Sequence, residues 1–125
     1  MINDWRILVV EDDPDGQDVV ARILRYHKIS LDIANDAEEA LQLLIGGSQY
    51  TGAIIDLALP GIDGWTLLGA IRRDPQTANL PCVAVTAYHS AEVAVKAIEM
   101  GFNAYFAKPL ETTSFVRELE RVLRR

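Results

Sequence analysis

The chain has a single cysteine, Cys82, so no disulfide can form within it. Cys82 opens the apolar run Cys82–Val85 and reads as a small core hydrophobe rather than a reactive thiol. Basic residues are also in short supply: 12 Lys and Arg stand against 18 Asp and Glu, a formal net charge of −6. Nucleic-acid binding needs a basic face, so this balance argues against it. Arg121, Arg124 and Arg125 are a small exception, better explained as favourable charges at a helix C-terminus. No apolar stretch reaches the roughly 20 residues of a bilayer span, and no signal-peptide pattern opens the chain. These absences lead us to expect a cytoplasmic protein with no membrane contact. Internal repeats, low-complexity segments and linkers are missing too. What remains is a chain of 125 residues, half of them hydrophobic. That suits one folded domain, 1–125, large enough to bury a core.

Apolar runs of strand length alternate with helical patterns. The strand candidates are Ile7–Val10, Leu31–Ala34, Ala53–Ile55, Cys82–Val85 and Ala104–Ala107. Most are continuous rather than alternating, as in parallel strands covered on both faces. Between them, Val19, Val20, Ile23 and Leu24 mark a first helix, with Pro14 near its start. Asp36 is expected to N-cap the second, with Glu39 as its capping-box partner. Ala40, Leu41, Leu44 and Ile45 form the apolar face of that helix, and Gly46-Gly47 stop it. A third helix runs from about Trp65 to Arg73 and must end before Pro75. A fourth begins near Ser90, turns Ala94, Ala97 and Ile98 inward, and closes at Gly101. The fifth carries Phe115, Val116, Leu119, Val122 and Leu123. Five βα units predict an α/β fold: a doubly wound parallel sheet with helices on both faces and right-handed crossovers.

In such folds ligands bind beyond the carboxyl ends of the strands, at the switch in strand order. Glu11, Asp12, Asp56, Thr86 and Lys108 all fall at or just past such ends. An ionised Asp56 at the edge of a core is expensive unless something compensates, and several carboxylates at one edge repel each other. A hard divalent cation removes both problems. Magnesium takes oxygen ligands and commonly uses one or two carboxylates plus phosphate oxygens. Asp12 and Asp56 are the best direct ligands, Glu11 is long enough to act through water, and a backbone carbonyl after Asp56 could complete the set. Lys108 supplies a fixed positive charge and Thr86 a hydroxyl donor. A carboxylate nucleophile, a metal, a lysine and a hydroxyl are the parts needed to transfer a phosphoryl group to an aspartate.

Four segments carry a resemblance: Ile7–Asp13 (ILVVEDD), Ile54–Gly64 (IIDLALPGIDG), Val83–Ala87 (VAVTA) and Tyr105–Pro109 (YFAKP). Each is moderately specific alone; in this order and spacing they are specific together. The chain resembles the receiver domains of two-component response regulators over essentially its whole length. The resemblance implies a flavodoxin-like five-stranded sheet in the order 2-1-3-4-5. It implies that Asp56 is the phosphoacceptor, and that Glu11 and Asp12 hold Mg²⁺ together with Asp56 and the backbone carbonyl of Ala58. Thr86 and Lys108 would contact the phosphoryl oxygens. The donor would be a phosphohistidine on a sensor histidine kinase or histidine phosphotransfer protein. Thr86 and Tyr105 would form a switch that changes the surface of the fourth helix, fifth strand and fifth helix, which a downstream protein reads. The Lys108–Pro109 bond is often cis in such domains. The chain would be a monomer or a phosphorylation-dependent homodimer. It would be no enzyme beyond catalysing its own phosphorylation and dephosphorylation.

Some positions depart from the pattern. Ala58 and Tyr88, two residues after Asp56 and Thr86, tune loss of the phosphoryl group in this family. Neither offers an amide or carboxylate to position water, and Tyr88 could shield the site, so a long-lived phospho-Asp56 is expected. Leu59 stands where methionine is frequent. Asn103-Ala104 lack the acidic residues that pair across dimers of winged-helix regulators. Plainer roles stand beside the sharp ones. Asp13 reads as an N-cap before Pro14, and Asp63-Gly64 as turn chemistry. Tyr105 reads equally as core, Trp65 as packing at the start of the third helix, and His27 as a surface residue. His89 reads as an exposed residue rather than a ligand, because no second histidine or cysteine accompanies it. Three other functions compete. An unphosphorylated pseudo-receiver is countered by the presence of every acidic, hydroxyl and lysine position. A phosphatase of the haloacid dehalogenase type needs an acid where Ala58 stands. A flavin carrier needs a Ser/Thr/Gly phosphate cradle, but the loop after Val10 is acidic.

Overall fold

The structure is a computed structural model that describes residues 4–47 and 49–124. Strands and helices alternate along the chain: β1 (Arg6–Val10), α1 (Pro14–Tyr26), β2 (Ser30–Ala34), α2 (Ala37–Ile45), β3 (Gly52–Asp56), α3 (Gly64–Arg73), β4 (Cys82–Thr86), α4 (Ala91–Met100), β5 (Ala104–Ala107) and α5 (Thr112–Leu123). The five strands are parallel and ordered β2-β1-β3-β4-β5, the order the family resemblance implies. Consecutive strand residues point to opposite faces. Ile7, Val9, Ile54 and Val83 therefore pack with Val20 and Leu24 of α1 and Phe115 and Leu119 of α5. Leu8, Val10, Ile55 and Ala84 pack on the other face with Ala40 of α2, Leu67 and Ile71 of α3, and Ala97 of α4. The central strands β3 and β4 are buried throughout, whereas the edge strands β2 and β5 are half-buried. Cys82 is fully buried, and burial pushes its thiol up to about 11, which fits a core role.

Each helix start is capped by a side-chain oxygen, which satisfies backbone N–H groups left free in the first turn. Asp13 accepts from Gly16 at 3.2 Å with Pro14 following it, and Asp36 accepts from the Glu39 N–H at 2.8 Å. The reciprocal arm of the expected capping box is absent, because the Glu39 carboxylate sits 3.4 Å from Asn35 Nδ2 instead. Asp63, read as turn chemistry, caps α3 by accepting from Thr66 at 2.8 Å. Ser90 caps α4 and Glu111 caps α5. Gly101 closes α4 with φ 115°, a left-handed conformation that favours glycine. Arg121 pairs with Glu118 and Arg124 with Glu120 near the end of α5; Arg125 lies outside the described residues.

Two apolar side chains placed on buried faces, Ile45 and Ile98, do not face inward, nor does Val19, which marks the first helix. Val19, Ile45 and Ile98 are exposed. The contact line of α1 runs through Val20, Ala21, Ile23 and Leu24, that of α2 through Ala37 and Ala40, and that of α4 through Ala97. Successive helical residues are about 100° apart, so the neighbour of a buried residue falls on the flank. Alanine at these positions lets the helices lie close to the sheet.

Arg72, near the end of α3, is the main polar tie of the lower half. Its guanidinium donates to Gly101 O (2.8 Å), Ala78 O (3.1 Å), Leu80 O (2.7 Å) and Asn103 Oδ1 (3.0 Å). Asn103 Oδ1 also accepts the Cys82 N–H at 2.8 Å, which links the approaches to β4 and β5. Arg72→Met strands several half-buried carbonyls, and we expect a loss of roughly 2 kcal/mol. Urea unfolding checks this: an unchanged midpoint at an unchanged slope would show that water replaces the guanidinium without cost.

Candidate functional site

The carboxyl edge of the sheet gathers two acids, a hydroxyl and a lysine from four strand ends. β1 delivers Glu11, whose N–H donates to Ala34 O at 3.1 Å and whose carbonyl accepts from Gln17 Nε2 at 2.7 Å. The Glu11 side chain crosses Gly16 so closely that a Cβ there would overlap Oε1. β3 ends in Asp56, and α3 begins directly against it. A Cβ at Gly64 would lie 2.5 Å from Asp56 O and 2.8 Å from Leu57 Cα. β4 ends in Thr86, and Lys108 follows β5 with its N–H donating to Thr86 O at 2.9 Å. The Lys108–Pro109 peptide is cis, as expected.

Glu11 and Asp56 are buried, and Lys108 lies between them. Its Nζ is 2.5 Å from Glu11 Oε1 and 3.0 Å from Asp56 Oδ2. Asp56 Oδ1 accepts the Ala58 N–H at 2.9 Å. Burial alone would push Asp56 up, but hydrogen bonds from Glu11, Ala58 and Lys108 outweigh it and hold the carboxyl below its ordinary value. Glu11 moves the other way: burial, then its contact with Asp56, pushes it up to about 7. The two close carboxylates titrate as a pair, with Glu11 the one pushed up and Asp56 the one held down. Burial would lower Lys108, but its two carboxylate partners raise it, so it stays charged.

One ligand oxygen each from Glu11, Asp12 and Asp56 lies within 4.8 Å of the others. Asp12 is exposed, so water reaches the cluster from that side. This all-oxygen, acidic, solvent-accessible set suits a hard divalent cation such as Mg²⁺. Glu11 is part of that cluster.

The structure therefore brings Glu11, Asp12, Asp56, the Ala58 backbone and Lys108 together, with Thr86 on the adjoining strand end. The Thr86 hydroxyl is buried and accepts the Tyr88 N–H at 3.0 Å. Tyr88 is 75% exposed, so it covers little of the site. Tyr105, on β5, is half-buried, and its hydroxyl lies 2.8 Å from Nδ1 of the exposed His89. Trp65 packs edge-on against Phe102 with ring centroids 5.9 Å apart, and Lys96 Nζ sits 4.7 Å from the Trp65 ring. Gly16 and Gln17 shape the site and escaped the sequence reading, and Gly64, read only as turn chemistry, does so too.

The comparisons agree with this geometry. The family model of the response regulator receiver domain matches residues 7–120. An uncharacterized 14.6 kDa protein of Leptolyngbya boryana, encoded 3′ of sodA1, is 36% identical, covering 92% of this chain and 87% of that protein. The transcriptional regulatory protein HprR of Escherichia coli is 30% identical over 95% of this chain and 52% of its own length. The chain thus spans about half the length of HprR and of several other curated regulators it matches. The receiver domain of the Pseudomonas aeruginosa sensor histidine kinase PA1611 superposes with a TM-score of 0.87 at 27% identity, covering 97% of this chain and 98% of that one. That structure holds a magnesium ion in its active-site cleft.

A doubly wound sheet with this acidic edge defines a receiver of two-component signalling. The chain belongs to the response regulator receiver domain family. Such domains interact with histidine kinases and downstream effectors. Among the described residues, no helix is long and apolar enough to cross a membrane.

Proposed function

We propose that this chain is an active phosphoacceptor rather than a pseudo-receiver. The observation that carries the reading is the buried Asp56 carboxylate held ionised between the Lys108 ammonium and the Ala58 N–H. A phosphohistidine on a kinase or phosphotransfer partner is the donor. An Asp56 oxygen attacks phosphorus, the P–N bond breaks, and its electron pair stays on the leaving imidazole. Lys108 pairs with the phosphoryl oxygens, and the Thr86 hydroxyl turns from the Tyr88 N–H to donate to one of them. Glu11, Asp12, Asp56 and the Ala58 carbonyl would hold Mg²⁺, which neutralises the charge gathering at the phosphoryl group. The reaction is a modification of the chain itself, so the domain is no enzyme with a separate product to release.

The new charge then biases the Thr86 and Tyr105 segments, and the face of α4, β5 and α5 is read by a downstream protein or a second copy. Exposed Val95 and Ile98 on α4 give that face apolar contact area. Incubation with acetyl phosphate and Mg²⁺ tests the proposal by mass spectrometry. The expected result is one added phosphoryl group, mapped to Asp56; an unlabelled chain would favour the pseudo-receiver.

The lifetime of the adduct follows from its neighbours. Neither Ala58 nor the outward Tyr88 presents a group that could orient water for attack on phosphorus. Phospho-Asp56 should therefore persist for minutes or longer after the donor is removed. Loss within seconds would sink this expectation.

A further inference from the structure

The β4–α4 loop is fastened at three points, and one of them involves a residue that the phosphoacceptor chemistry does not use. Thr86 Oγ1 accepts the Tyr88 N–H at 3.0 Å, which ties the start of the loop to the interior. Ser90 Oγ accepts the Val93 N–H at 3.1 Å, which ties its end to α4. Between them, His89 Nδ1 lies 2.8 Å from the Tyr105 hydroxyl, with the rings tilted by 41° at a centroid distance of 5.6 Å. The Ser90 backbone also lies near the phenol. In the imidazole tautomer that carries its proton on Nε2, the Tyr105 O–H donates to Nδ1.

We propose that His89 is a positioning residue that holds Tyr105 against the β4–α4 loop in the resting state and so sets how readily the domain switches. The inference rests on the phosphoacceptor reading, in which the loop and Tyr105 move. When the Thr86 hydroxyl turns to a phosphoryl oxygen, the Tyr88 N–H loses its acceptor and the first fastening opens. Tyr105 cannot leave its place until the His89 contact breaks as well. That contact therefore favours the resting arrangement, and the activated one is populated less by the factor the bond is worth. One neutral hydrogen bond between partly exposed groups corresponds to roughly twofold to fivefold.

Asparagine places its side-chain oxygen close to where histidine places Nδ1, so His89→Asn keeps the acceptor that His89→Ala removes. Tyr105→Phe removes the donor. Two readouts separate this inference from the reading beneath it. The first is the Cζ chemical shift of ¹³C-labelled Tyr105 in the unphosphorylated protein, assigned by its disappearance in Tyr105→Phe. It moves in His89→Ala and returns toward the parent position in His89→Asn. The second is the rate of phospho-Asp56 formation from acetyl phosphate. His89→Ala and Tyr105→Phe each raise it roughly twofold to fivefold, the double variant raises it no further than either alone, and His89→Asn restores the parent rate. An unmoved Tyr105 signal in His89→Ala, or rate effects that multiply in the double variant, would overturn the positioning role. Should the parent chain take up no phosphoryl group, the phosphoacceptor reading fails by itself, while the Tyr105 signal still reports whether the contact exists.

Discussion

Asp56→Asn is expected to remain folded and to gain no phosphoryl group from acetyl phosphate or a phosphorylated histidine partner. The substitution changes one atom, yet it removes the only buried carboxylate in the cluster whose neighbours keep it ionised. An amide oxygen is a poor nucleophile towards phosphorus, and Asp12 and Glu11 do not replace it. Asp12 is exposed, and Glu11 is the partner that favours its proton near neutrality. The fold should tolerate the change. Asn Oδ1 can still accept the Ala58 N–H, and Lys108 keeps Glu11 as a partner at 2.5 Å. Removing one of two adjacent carboxylates also relieves their repulsion, which lets Glu11 fall back toward its ordinary value. Intact-mass measurement with and without Mg²⁺ reads the outcome. A variant that still labels would move the acceptor to another side chain and undo the assignment.

Lys108→Met carries the largest expected effect on stability, and its size depends on pH. Methionine keeps most of the aliphatic stem but leaves buried Glu11 and Asp56 facing each other with no cation. Breaking such a triad costs roughly 2–4 kcal/mol at about pH 8, allowing for the partial exposure of the lysine. The cost shrinks in acid. Glu11 is pushed up to about 7 even beside Lys108, against 4.5 ordinarily, and moves higher without it. Between those limits the folded state binds more protons than the unfolded one, so stability falls as pH rises through that window. Below it both states are protonated, and the Glu11 contribution disappears. The gap between Lys108→Met and the parent should therefore be smaller near pH 5, where the lost Asp56 pairing alone remains, and full above pH 8 in urea or thermal unfolding. It should narrow at high pH when Mg²⁺ is added. An equal gap at both pH values would mean that the lysine acts through packing alone.

The doubly wound sheet and the strand-end residues were legible because both rest on local patterns, whereas the strand order came with the family resemblance. A continuous apolar run ends in an acid, a threonine or a lysine four times over, and parallel topology carries those ends to one edge. What escaped depended on approach between segments distant in the chain. Gly64 looks like any turn glycine until α3 is seen starting against Asp56 O. Gly16 looks like a helix interior glycine until the Glu11 side chain crosses it. Arg72 reads as one of two basic residues ending α3, yet four distinct acceptors converge on it. The faces of α1, α2 and α4 were misread at Val19, Ile45 and Ile98 because hydropathy counts large apolar side chains. α2 and α4 seat themselves on Ala40 and Ala97, which the pattern did place inward, while α1 packs through Val20, Ala21, Ile23 and Leu24. The exposure of Tyr88 likewise followed from the direction of the β4–α4 loop, which composition does not encode.

The Lys108–Glu11 contact spans 97 positions of sequence. During synthesis the ribosome therefore delivers the acid, the nucleophile and the hydroxyl long before the lysine that neutralises them. A nascent chain lacking β5 carries two close carboxylates without their counter-charge and without the final edge of the sheet. The cluster is therefore complete only once the segment after β5 has been made and docked, so a partner that recognises the completed cluster also selects for folded molecules.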